Sequence, residues 1–191
     1  MKIQVEPTPI PGVQIVTPGS FDDARGFFSE VFRADEFGPH GLPIRFVQVN
    51  HSKSAKHVIR GLHFQFDPPM GKLMRVLAGA AFLVAVDLRK DSPTLGQWFG
   101  RVFTAQSKQQ FWAPASCARG FCALAEGTEI EYYCTGTYNG PGESGILWND
   151  PAIGIEWPVK EPQLSDRDRT AQTLAQWLAR PESERFTMGS P

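Results

Sequence analysis

Glycine and proline interrupt this chain so often that no long regular element fits between them. There are 18 Gly and 16 Pro in 191 residues, and the stretches between them are short and rich in Val, Ile, Phe and Tyr. Segments of that length pair edge to edge into sheets more readily than they form isolated helices. The rhythm predicts an antiparallel sandwich or barrel. Strands are expected over 13–18, 26–32, 46–52, 58–65, 72–78, 81–88, 98–104, 110–113, 120–125 and 129–135. Gly79 and Ala80 are expected to form a tight hairpin turn between two of the most apolar strands. Residues 34–37 suit a helical turn. The one stretch with helical spacing is 170–180, where Leu174, Trp177 and Leu178 recur at intervals of three and four. Without repeats, linkers or low-complexity segments, residues 1–191 read as one β-rich domain, with a core of about 10–170 and a C-terminal tail over 170–191.

Composition narrows the class further. The formal net charge of −1 argues against bulk attraction to nucleic acid. Hydrophobic residues at 41% supply a core and argue against disorder. No apolar run approaches the roughly 18 residues that a membrane span needs, and the opening residues show no apolar signal segment. Cys117, Cys122 and Cys134 are odd in number and form no CxxC pair, so they read as reduced core cysteines of a cytoplasmic protein.

Strand alternation sorts the polar residues. Phe46, Gln48, Asn50 and Ser52 share one face of their strand, and Val47 and Val49 share the other. The expectation is ordinary sheet with its amides toward water; the alternative is a barrel whose interior is polar because it holds a ligand. Tyr132 shares its face with Ile130 and Cys134, which turns its ring inward, where a phenol needs a partner or a task.

Chemistry concentrates in Arg60-Gly61-Leu62-His63-Phe64-Gln65. Alternation sends Arg60 and His63 to opposite faces, unless a bulge at Gly61 brings them together. A strand histidine taken alone reads as a satisfied or exposed residue. His63 has no second histidine at metal spacing, so no metal is expected. Lys72 opens a strand as either a solvated edge residue or an oxyanion stabiliser. Arg25 and Glu30 flank a turn, where a surface ion pair is the simplest reading. Leu164-Ser165-Asp166-Arg167-Asp168 fits a helix N-cap.

In this order and spacing, these segments resemble the dTDP-4-dehydrorhamnose 3,5-epimerases, a family of cupin-like jelly-roll isomerases. The resemblance covers roughly residues 10 to 170. It rests on Asp23-Ala24-Arg25-Gly26-Phe27-Phe28, Gln48-Val49-Asn50, the Arg60–Gln65 run, Gly71-Lys72-Leu73 with Arg75-Val76, and Val86-Asp87-Leu88-Arg89 with Ser92-Pro93-Thr94. Glu143, Trp148-Asn149-Asp150-Pro151 and Leu164-Ser165 with Asp168 complete it. The resemblance implies an all-β jelly roll with a C-terminal helical tail, acting without metal or redox cofactor on a dTDP-linked 4-keto-6-deoxyhexose. It implies that His63 is the base, Asp168 its orienting partner, Lys72 the stabiliser of the enolate oxygen and Tyr132 the opposite-face acid. Tyr138 would stack on the thymine, and Arg25, Glu30, Gln48, Asn50, Arg60, Glu143 and Arg167 would hold nucleotide and sugar. It also implies a homodimer.

One position departs from the family pattern. Where the family reads Ala-His-Gly-Phe, this chain has Ala118-Arg119-Gly120-Phe121. Either Arg119 makes the same substrate contact, or the sugar pose changes and a single carbon is epimerised. The rival from another class is a non-catalytic jelly roll that binds a sugar nucleotide. The presence of His63, Lys72, Tyr132 and Asp168 together favours the enzyme.

Overall fold

The computed structural model describes residues 2–189. Its strands, in chain order, are β1 (Gln4–Pro7), β2 (Gln14–Thr17), β3 (Ser20–Asp23), β4 (Gly26–Ser29), β5 (Gln48–Ser54), β6 (Ile59–Gln65) and β7 (Lys72–Ala78). They continue with β8 (Ala80–Asp87), β9 (Trp98–Thr104), β10 (Gln110–Ala113), β11 (Cys117–Ala123), β12 (Thr128–Cys134) and β13 (Glu143–Gly145). A six-stranded antiparallel sheet runs β1-β2-β10-β7-β12-β5, a five-stranded one runs β13-β6-β11-β8-β9, and β3 with β4 forms a separate hairpin. Short helices α1 (Ala34–Phe37), α2 (Asp166–Arg169) and α3 (Leu174–Leu178) complete the elements needed here. The two sheets stack as a cupin-like jelly roll, the all-β class expected from the turn rhythm.

Alternation along β8 shows how the layers are filled. Ala81, Leu83 and Ala85 point between the sheets, where they meet Met74, Val76, Phe103, Phe111, Phe121 and Ile130. Val84 and Val86 point the other way, onto Leu62, Phe64, Trp177 and Phe186. The chain after residue 170 therefore covers the outer face of the five-stranded sheet, and the Trp177 ring meets Phe64 edge-on at 4.5 Å between centroids. Buried aromatic pairs of this kind contribute about 1 kcal/mol beyond their area. On the outer face of the six-stranded sheet, Phe37 of α1 packs with Val16, Leu73 and Trp112.

Several expectations need correction. Gly79 does not turn a hairpin: β7 and β8 belong to different sheets, so the chain crosses the sandwich there. Gly79 has φ +74°, and a Cβ would lie 2.8 Å from the Thr128 hydroxyl, so a side chain would obstruct the corner. The helix expected over 170–180 is confined to α3. Thr173 starts it with a capping box: its hydroxyl accepts from Gln176 N–H while the Gln176 side-chain Oε1 accepts from Thr173 N–H. Residue 172 instead bridges to Ile146 in extended form. Strand β5 carries its amides inward, because Val47 and Val49 are the exposed residues, Val49 at 52%. The polar-interior alternative applies. Strands β1, β3 and β13 lack the apolar alternation that would reveal them.

Candidate active site

The site begins with a backbone irregularity in β6. His63 pairs with Arg119 of β11, and Arg60 pairs with Phe121, so one strand advances three residues while the other advances two. The extra residue is absorbed at Gly61, whose φ is +129°. A Cβ there would fall 2.6 Å from the Gly120 Cα and 2.9 Å from the Arg119 carbonyl oxygen, so only glycine fits. The bulge puts Arg60 and His63 on the same cavity.

That cavity has a volume of about 440 Å³ and lies between the sheets. The five-stranded sheet contributes Arg60, His63, Arg119 and Phe121. The six-stranded sheet contributes Ser52, Lys72, Met74, Ile130 and Tyr132, and residues 163–168 close one side. A smaller hollow of about 260 Å³ shares His63, Arg167 and Asp168 and adds Glu143 and Ser144.

His63 Nε2 lies 2.5 Å from Asp168 Oδ1. Asp168 sits in the first turn of α2, where Ser165 is the N-cap and its hydroxyl accepts from Asp168 N–H at 3.1 Å. Burial alone would raise the Asp168 pKa. The His63 hydrogen bond and charge, the Ser165 hydroxyl and the Gly61 N–H outweigh it and hold the carboxyl below its ordinary range. A carboxylate so placed fixes the proton on Nε2 and leaves the His63 lone pair on Nδ1.

On the opposite sheet, Lys72 Nζ is 5.2 Å from the Tyr132 ring centroid. Burial, followed by repulsion from Arg119, lowers the Lys72 pKa to about 8. Burial raises that of Tyr132, which keeps its phenol protonated. Arg119 is 3% exposed, and burial lowers its pKa to about 10. The cavity thus holds an imidazole on one sheet and two proton-bearing groups on the other.

The remaining expected residues divide. Arg167 lines both hollows and pairs with Glu143 at 2.8 Å. Gln48 Nε2 donates to Asn50 Oδ1 at 3.0 Å, and the Tyr138 N–H donates to Gln48 Oε1 at 2.8 Å, so these three form a polar group at the start of β5, and none of them lines either hollow. The Tyr138 ring is exposed. Arg25 and Glu30 stand apart. Arg25 is at the solvent-facing turn of the β3–β4 hairpin, bound to Asp23 at 2.6 Å, and Glu30 pairs with Arg33 at 3.2 Å. Neither lines the cavity of its own chain. Met74 and Gln163 line it without any signal in the sequence. Ser165 had a signal, the Ser-x-x-Asp spacing of an N-cap. Among the described residues no group of three or more His, Cys, Asp or Glu could hold a metal ion.

Comparison with known proteins adds to this geometry. A family model described as dTDP-4-dehydrorhamnose 3,5-epimerase matches residues 7–176. A dTDP-4-dehydrorhamnose 3,5-epimerase of Neisseria gonorrhoeae is 47% identical over 170 residues, 88% of this chain, although the match spans only 52% of that protein's length. One from Shigella flexneri is 48% identical over 167 residues, covering 86% of this chain and 92% of its own. The crystal structure of a dTDP-6-deoxy-D-glucose-3,5-epimerase from Legionella pneumophila Philadelphia 1, in complex with dTDP-4-keto-L-rhamnose, superposes with a TM-score of 0.89 at 42% identity. That match covers 95% of this chain and 96% of the other.

Proposed function

This chain belongs to the dTDP-4-dehydrorhamnose 3,5-epimerase family, and from that premise we propose that it inverts C3 and C5 of a dTDP-linked 4-keto-6-deoxyhexose. The observation that carries this reading is the delivery of His63 and Tyr132 into one cavity from opposite sheets. A ketone at C4 acidifies the protons on both neighbouring carbons. His63, oriented by Asp168, takes one of them, and the electron pair moves onto O4 as an enolate. Lys72 stabilises that oxygen as its charge develops. The enolate then takes the Tyr132 phenolic proton on the face opposite His63, and the configuration inverts. Solvent returns a proton to Tyr132 and removes one from His63, after which the second carbon can react. The ketone is the electron sink, so the steps balance without a metal or redox cofactor.

Arg60 and Arg167 suit the diphosphate, since guanidinium groups pair well with phosphate oxygens. Gln48, Asn50 and Glu143 hold the sugar nucleotide, and the exposed Tyr138 ring stacks on the thymine. Arg25 and Glu30 act from a second copy. Their hairpin exposes Phe21, Phe27 and Phe28, and Val47 and Val49 are also exposed, which supports a homodimer that covers such apolar surface. The three buried free cysteines support a reducing, cytoplasmic setting, and no helix among the described residues is long and apolar enough to cross a membrane.

The test is incubation with the 4-keto-6-deoxyhexose nucleotide in deuterated water, followed by proton NMR. Deuterium at C3 and C5 with inversion is the expected result. Label at one carbon only would restrict the reaction to that carbon, and no label at either would leave only a binding domain.

A further inference from the structure

Arg119 stands at the centre of β11, a strand buried along its whole length. Both terminal nitrogens donate to one acceptor, the Met70 carbonyl, at 2.9 and 2.5 Å. Its Nε is buried without a partner, and among the described residues no carboxylate forms an ion pair with it. An arginine in this position is costly, because its charge is desolvated and not neutralised. Its backbone lies opposite His63, on the five-stranded sheet. Its guanidinium grips the lead-in to β7 on the other sheet, two residues ahead of Lys72. Gly71, between them, is locked as well: its N–H donates to the Thr135 hydroxyl at 2.9 Å, and its carbonyl accepts from Thr135 N–H at 3.1 Å.

We propose that Arg119 is a positioning residue rather than a substrate contact: a strut between the His63 strand and the start of the Lys72 strand, and the fixed charge that the Lys72 ammonium faces. The inference rests on the reaction proposed above. It departs from the family expectation that the residue at this position touches the sugar, because both terminal nitrogens of the guanidinium are turned to the Met70 carbonyl. Arg119 and Lys72 line the same cavity; after burial, Arg119 is the strongest influence lowering the Lys72 pKa, with Arg167 acting in the same sense and Cys134 and Glu143 opposing it. A more acidic ammonium is a better partner for an enolate oxygen near neutral pH.

Three variants separate charge from grip. Arg119→Gln keeps an amide donor for the Met70 carbonyl and loses the charge. Arg119→Lys keeps the charge and loses the fork. Arg119→His places the family's usual residue there, neutral above about pH 7, and serves if Arg119→Gln fails to fold. Lys72 is titrated by NMR of 15N-labelled lysine, its signal identified by loss in Lys72→Arg, alongside the pH profile of kcat/KM for deuterium exchange. In the Gln and His variants, both the Lys72 midpoint and the alkaline limb should rise by about one pH unit, the scale of a neighbouring charge. KM should change less than about threefold, and the Lys variant should keep its midpoint near wild type. An unmoved Lys72 midpoint in the folded His variant overturns the proposal. So does a roughly tenfold rise in KM with an unchanged pH profile, the mark of a lost binding contact. If the wild type exchanges no label, the epimerase reading fails, but the Lys72 midpoint still decides the role of Arg119.

Discussion

His63 Nε2 and Asp168 Oδ1 meet at 2.5 Å across 105 residues of sequence. The contact joins β6 to the first turn of α2, so the orientation of the imidazole depends on the chain that follows β13 closing over the sheet. His63→Ala should abolish deuterium exchange while dTDP affinity, measured by calorimetry, stays close to wild type. Asp168→Asn should lower exchange by about 10²–10⁴-fold, the range for a mispositioned base.

Asp168 also predicts a pH dependence of stability. Its folded pKa lies below the ordinary carboxylate value. Its contribution is therefore present above about pH 4 and is lost as pH falls through the folded value. Urea titrations between about pH 2 and 6 should show wild type losing stability more steeply than Asp168→Asn. Parallel curves would refute the linkage.

Tyr132 and Tyr133 form a matched pair for testing the acid. Tyr132 lines the cavity, whereas Tyr133 points outward, packs on Phe46 and donates to Glu131 at 2.8 Å. Tyr132→Phe should still exchange deuterium with retained configuration, because His63 can return a proton to the face it came from. Inversion should fall by about 10²-fold or more. Tyr133→Phe should invert normally. The reverse outcome would place the acid on the wrong side of β12.

Lys72 is held in a place that disfavours its charge, with its pKa near 8 against 10.5 in the unfolded chain. Between these values the folded protein binds fewer protons than the unfolded one, so stability increases as pH rises through the window. Below pH 8 the buried ammonium costs its full amount. Lys72→Met should therefore stabilise the protein at pH 7 by on the order of 1–3 kcal/mol, and the gain should shrink toward pH 10. It should also abolish turnover. A variant less stable at pH 7 would count against the buried charge.

Gly61→Ala tests the bulge. The added methyl would meet Gly120 and Arg119 backbone at 2.6 and 2.9 Å, with φ in a region alanine avoids. Thermal unfolding should show a loss of roughly 2–4 kcal/mol, and exchange should fall as His63 is displaced. A variant as stable and active as wild type would show that β6 tolerates a regular register.

The bounds of β7, β9 and β10 were legible from local composition, because each is a short run rich in apolar residues set off by Gly71 and Gly79, by Gly96, or by Pro114. The Gly79 corner was not legible. A glycine between two apolar strands looks the same whether the chain turns back within a sheet or crosses to the next one, and only long-range pairing decides. The inward amides of β5 were similarly ambiguous, since polar and β-branched faces differ in sequence but not in which one meets water. The His63–Asp168 contact could not come from spacing at all. Arg25 belongs to a family motif, yet neither it nor Glu30 lines the cavity of its own chain, and their expected role rests on the proposed homodimer.

The stacking of two sheets about 10 Å apart divides labour in a way that bears on how such a protein can diversify. Strands fix which side of a flat intermediate loses a proton and which side gains one, so handedness is built into tertiary layering. At the rim, 163–168 shares that duty through Asp168, which holds His63, whereas the stretch around Tyr138 is free of it. Changes there can alter which nucleotide or sugar is admitted while the sense of inversion is preserved. Reversing that sense would require exchanging groups between β6 and β12, which no single substitution accomplishes.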